Sequence, residues 1–248
     1  VTASYTDGEG TAENVTSEST SAVVNVSHSP TGSVTISGTA TEDQVLTASH
    51  TLSDQDGLGV ISWQWNRDGV LIEGATDSAY TLVQTDVDAS MTVTANYIDG
   101  EGTAESVTSA PTAVVENVND EPLGAVTIIG IALEGQFFMS THTLTDEDGL
   151  GTVSWQWSAN GTVLPYATSD EYWLSQDDVG DVFTVTASYV DGEGTAESVT
   201  SAPTSVVSNE NDFPVGTVTI SGTAREDEVL AASHTLGDQD GLGVISWQ

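Results

Sequence analysis

VTANYIDGEGTAE, from Val93 to Glu105, decides how this chain is read, because it occurs three times with small changes. VTASYTDGEGTAE begins at Val1 and VTASYVDGEGTAE at Val185, so successive copies start 92 residues apart (93 − 1 and 185 − 93). The same period links TLSDQDGLGVISWQW from Thr51, TLTDEDGLGTVSWQW from Thr143 and TLGDQDGLGVISWQ from Thr235. GSVTISG at Gly32, GAVTIIG at Gly124 and GTVTISG at Gly216 keep the register. A fixed period marks a repeat architecture, and this one exceeds the roughly 20–50 residues of solenoid units. Each copy is therefore expected to be a domain with its own core. Placing boundaries at Pro30, Pro122 and Pro214 divides the chain into 1–30, 31–122, 123–214 and 215–248. The first and last segments are parts of truncated repeats, the middle two are complete, and further copies are expected on both sides in the parent protein.

Within one copy the apolar residues alternate: Val34 and Ile36, then Leu46, Ala48, His50 and Leu52, then Ile61, Trp63 and Trp65, then Val93, Ala95 and Tyr97. Period-two alternation in short runs separated by turn residues describes strands, not helices. Extended runs fall near 33–38, 44–52, 60–66, 70–73, 79–83, 91–98 and 106–116. The fold class predicted is all-β: tandem immunoglobulin-like antiparallel β-sandwiches in a linear array, with Trp63 and Trp65 the largest contributors to the core. His50, His142 and His234 recur on the same row and are read as hydrogen-bonded core histidines.

Charge removes several function classes. The 248 residues carry 38 acidic and 2 basic side chains, a net charge of −36, the basic ones being Arg67 and Arg225. Nucleic-acid binding needs Lys and Arg to displace counterions, and an anionic bilayer repels a chain of this sign. With no cysteine, disulfides, thiolate metal sites and a Cys nucleophile are excluded. No apolar run approaches the roughly 20 residues that span a bilayer, so no membrane insertion is expected in this segment. Neither a nucleophile elbow nor a phosphate-binding glycine loop followed by a helix is found, so the reading is not an enzyme.

The acidic residues gather in loops. Glu42 and Asp43 lie between the first two runs, Asp54 and Asp56 in the DxDG loop, Asp86 and Asp88 before the 91–98 run, and Asp99 and Glu101 in the DGEG loop. Their counterparts include Asp146, Asp148, Asp191, Glu193, Asp238 and Asp240, and the linkers add Asn117, Asn119, Asp120, Asn211 and Asp212. In a sandwich strung end to end, one junction collects upstream loops, linker and downstream loops. So many carboxylates repel one another unless a cation sits among them, and hard oxygen donors in flexible loops select Ca2+. The first linker, Asn25 to Pro30, carries Ser27 and His28 where the others have Asn and Asp. Weaker calcium binding is expected there.

Asn117-Val118-Asn119-Asp120-Glu121-Pro122 resembles the interdomain linker of cadherins, and Asp146-Glu147-Asp148 resembles their DxD element. The whole repeat is similar to the tandem Ig-like or cadherin-like repeats of giant bacterial surface adhesins, including calcium-dependent adhesins of the type I secreted class. Two departures stand out: the cadherin LDRE signature is missing, and so are GGxGxD nonapeptides. The resemblance implies an extracellular segment at a bacterial cell surface. Its expected role is that of a structural extender, with calcium stiffening the joints and neighbouring repeats of the same chain as its partners. The rival readings are a self-assembling extracellular filament made with other copies and a repeated carbohydrate- or receptor-binding module.

Overall fold

The computed structural model describes residues 1–248. The chain divides into two compact units, Val1–Asn117 and Val118–Gln248. Each contains one seven-stranded sandwich and one further two-stranded hairpin.

In the first unit, β1 (Thr2–Thr6) and β2 (Ala12–Thr16) form a hairpin whose turn is held by Asp7 Oδ1, which accepts the N–H groups of Glu9 and Thr11. The complete repeat follows with β3 (Val34–Ser37), β4 (Val45–His50), β5 (Ser62–Arg67), β6 (Val70–Leu71), β7 (Ala79–Thr81), β8 (Met91–Ile98) and β9 (Ala104–Thr108). These make two antiparallel sheets, ordered β3-β4-β7 and β6-β5-β8-β9. The second unit repeats the plan with β10 (Val126–Ile129), β11 (Phe137–His142), β12 (Ser154–Ala159), β13 (Thr162–Val163), β14 (Glu171–Trp173), β15 (Phe183–Val190) and β16 (Ala196–Thr200). It ends with the hairpin of β17 (Val218–Ser221) and β18 (Ala231–His234). The only helical pieces are single 3-10 turns at Gln84–Asp86 and Gln176–Asp178, so the fold is all-β and antiparallel.

The alternation read from the sequence becomes burial. In β8 every second residue from Met91 to Tyr97 is buried, and these share one core with Trp65 of the neighbouring strand β5 and with Val34, Leu46 and Ala48 of the other sheet. Trp65 is wholly buried and its Nε1–H donates to the carbonyl of Asp77 at 2.9 Å; Trp157 does the same with Ser169 at 2.8 Å. A buried indole so satisfied contributes its large apolar area without stranding a donor. Trp63 is only half-buried, beside His50 at 5.9 Å between ring centres. The histidines are hydrogen-bonded through Nδ1, which accepts the N–H two residues on, but they are not core residues: His50 and His234 are exposed and His142 is half-buried, each at the last position of its strand beside a tryptophan ring.

The last strand differs from the expected 106–116. It begins at Ala104 and stops at Thr108; Pro111 lacks an N–H and breaks the ladder. The chain then crosses to new partners, with parallel bridges from Val115 to Val87 and from Glu116 to Thr41. In the second unit Ser208 bridges to Leu133 in the same sense. This crossing brings the start of each linker beside the turn that carries Glu42 or Glu134.

Candidate metal centre

Glu134 N–H donates to the carbonyl of Ser208 at 2.9 Å, and Ser208 N–H donates to Ala132 at 2.9 Å, so the buried glutamate sits where the linker begins. Glu210 N–H in turn meets Glu134 Oε2 at 3.3 Å. At the far end of the same linker, Asp212 N–H donates to Asp240 Oδ2 at 2.8 Å, and Asp240 N–H donates to Asp238 Oδ1 at 3.0 Å. Carboxylate oxygens of Glu134, Asp212 and Asp240 lie within 4.8 Å of one another. The three come from the β10–β11 loop of one repeat, the linker that follows that repeat, and the DxDG loop of the next. Glu134 and Asp212 border a cleft of about 410 Å3 with Glu210, Asn211 and Gln239.

The linker docks in the same way elsewhere. Asp120 N–H donates to Asp148 Oδ2 at 2.6 Å, and His28 N–H donates to Asp56 Oδ2 at 2.6 Å. In the first linker an imidazole replaces the linker carboxylate, and His28 Nδ1 lies 3.2 Å from Asp56 Oδ2. The His28 backbone N–H, above all, holds the Asp56 carboxyl below the usual carboxylate range.

The first aspartate of each DxD is already engaged inside its own repeat. Asp54 accepts Asp56 N–H at 2.9 Å and the Tyr97 hydroxyl at 2.6 Å; Asp146 accepts Asp148 N–H at 3.0 Å and the Tyr189 hydroxyl. Burial, with those carboxylates adding, pushes both phenols well above their ordinary range. Asp99 and Asp191 are different. Each spends Oδ1 on two N–H groups, of Glu101 and Thr103 or of Glu193 and Thr195, while Oδ2 is buried with no hydrogen-bond partner. A buried carboxylate oxygen without a donor is costly, and a cation is one group that would satisfy it. Gly192 N–H bonds the carbonyl of Asp148, so Asp191 belongs to the same end of the repeat as the docked linker. Glu101 and Glu193 point to solvent.

Other candidates have local employment. Asp86 is wholly buried and accepts from Arg67 Nε at 2.7 Å, the Tyr80 hydroxyl at 3.0 Å and Val83 N–H at 3.0 Å. Asp43 and Asp88 are exposed turn residues with φ of 61° and 64°. Their counterparts one period on are Gly135 and Gly180, at 73° and 92°. The position demands a left-handed backbone, which Asp tolerates and Gly prefers. Asn117 Oδ1 accepts Gln84 Nε2 at 3.2 Å; Asn119 donates to Asp120 O and to Glu197, and Asn211 to Asp212 O.

Glu134 was absent from the sequence candidates although it is Glu42 moved by one period. The neighbouring aspartate that marks the first copy is a glycine in the second, so the acidic pair is not visible there. The 92-residue register alone would have found it.

The donor set suits calcium. Glu134, Asp212 and Asp240 offer only hard oxygen atoms on loops, with neither thiolate nor imidazole to favour zinc. No protein-family model matches the chain, and no curated protein sequence does. A solved structure described as "Ca2+-stabilized adhesin helps an Antarctic bacterium reach out and bind ice" is similar at a TM-score of 0.32 and 16% identity, over 95% of this chain. The chain spans 64% of the length of that structure. No helix is long and apolar enough to cross a membrane.

Proposed function

We propose that this chain is a structural extender from a bacterial cell-surface adhesin, acting outside the cell and stiffened by calcium at the joints between repeats. The observation that carries the reading is the convergence of Glu134, Asp212 and Asp240 within 4.8 Å, one carboxylate from each of the three pieces that a joint must hold together. A linker of a few residues pivots freely by itself. A divalent ion bound by all three pieces exchanges their mutual repulsion for attraction and removes that freedom. By the repeat register, Asp120 and Asp148 are the linker and DxDG carboxylates one period earlier, and Asp191 supplies a further oxygen in need of a counter-charge. The chain's function on this reading is mechanical. Repeated loops in every copy do not build the single cleft that catalysis requires.

Calcium at a hundredfold its dissociation constant stabilises a one-site protein by about 2.7 kcal/mol. For a chain of this size that corresponds to a rise in Tm of about 5–10 °C. Calorimetry and small-angle scattering with calcium, with magnesium and after chelation test the reading. Chelation is expected to lower Tm and shorten the particle, and Asp148→Ala to reduce both responses more than Asp88→Ala. Identical scattering profiles with and without calcium would overturn the stiff joint.

A further inference from the structure

The two complete repeats differ on the outer face of the three-stranded sheet. In the second repeat Ile129, Met139, Phe137 and Trp173 project outward from β10, β11 and β14, and all four are exposed, Trp173 at 66% and Phe137 at 41%. Strand pairing sets Ile129 beside Met139, Met139 beside Glu171, and Phe137 beside Trp173. In the first repeat the same places hold Ser37, Thr47, Val45 and Thr81, with Ala79 in place of Glu171. The partial copy again has Ser221, Ala231 and Val229. Packing inside the sandwich does not need the change, since the inward residues form equivalent cores in both repeats. One of the two complete copies carries an apolar, aromatic face toward solvent where the other is smaller and more polar, and contiguous patches of that kind mark binding surfaces.

We propose that this face is a docking platform for a polysaccharide without acidic groups. Charge selects among occupants: the chain carries −36 and the patch is bordered by Glu171, so anionic polymers, anionic bilayers and a second copy of this chain are all repelled. A neutral or amino-bearing sugar chain is not. The rings of Phe137 and Trp173 lie 5.7 Å apart and tilted by 44°, an exposed aromatic pair on which a chain of pyranose rings can stack. The C–H face of a sugar stacks on an aromatic ring, and its hydroxyls then need polar partners at the margin. Glu171 supplies an acceptor in the next row, and Thr127 and Thr141 hydroxyl groups in the row beyond Ile129 and Met139. The platform is independent of the calcium joints and stands or falls separately from them.

The test titrates cellohexaose, chitohexaose and a hexameric alginate fragment into the 248-residue chain in calcium buffer, following tryptophan fluorescence and heat. Trp173→Thr and Phe137→Val install the residues of the first repeat at exposed positions, so Tm is expected to be unchanged. Binding of cellohexaose or chitohexaose that each variant weakens about tenfold, the equivalent of about 1.4 kcal/mol, supports the platform. It is overturned by any of four results: neither sugar binding at millimolar concentration, equal affinity in both variants, preference for alginate, or a dimer in sedimentation that Trp173→Thr dissolves.

Discussion

Asp86 and Asp178 occupy the same buried place in successive repeats and share a tyrosine hydroxyl and a backbone N–H as donors, but differ in the third. Arg67 is the third donor to Asp86, while its counterpart Ala159 leaves that task to the Ser175 hydroxyl, which reaches Asp178 Oδ2 at 2.8 Å. Arg67→Ala alone strands part of a buried carboxylate and should lower stability by about 2–3 kcal/mol in urea unfolding. Adding Val83→Ser, which copies the second repeat, should recover most of that loss; no recovery would mean that the arginine stabilises through its stem and not through its charge. Tyr172 shares this site, and burial, with Asp178 adding, pushes its phenol up to about 12. The folded state therefore keeps a proton that the unfolded chain gives up near pH 10. Stability is fully present below about pH 10 and falls as pH rises toward 12. Tyr172→Phe should flatten that part of the slope in urea midpoints measured between those limits. An unchanged slope would place the alkaline sensitivity on the other buried phenols.

At the scale of elements, glycines decide how the DxDG loop sits. A Cβ on Gly59 or Gly151 would collide with the carbonyl of Ile98 or Val190, the last residues of β8 and β15. Gly151→Ala must push the loop off the strand and should cost about 1–3 kcal/mol. Asp88→Gly, at a left-handed turn where the second repeat already has Gly180, should stay within about 0.5 kcal/mol and leave the calcium response intact. Denaturant titrations of both variants, with and without calcium, separate a loop that positions ligands from a turn that merely happens to be acidic. The strands themselves were legible beforehand, and Met91–Ile98 coincides with its expected run. The final strand was not, because a proline and a change of partner leave the apolar alternation almost undisturbed.

For the whole molecule the dominant quantity is charge. A net −36 on 248 residues opposes compaction at low ionic strength. Sodium chloride screens this over a Debye length of about 8 Å at physiological strength, so Tm without calcium should rise between 10 and about 150 mM salt. Calcium at matched ionic strength should raise it further if discrete sites exist. Equal effects from the two salts would reduce calcium's role to screening.

Period, alternation and composition settled the all-β class, the repeat length and the acidic loops, because these depend on neighbours in the chain and on sums over it. They could not sort the carboxylates. Asp54, Asp86 and Asp99 look alike in sequence, yet one is bonded to a tyrosine, one to an arginine, and one keeps a buried oxygen with no donor. Which partner a carboxylate meets is fixed by strand pairing and by crossings between residues far apart along the chain. The outward face of Phe137 and Trp173 was hidden for the same reason. An aromatic residue in a strand reads as core until the register shows which side of the sheet it takes.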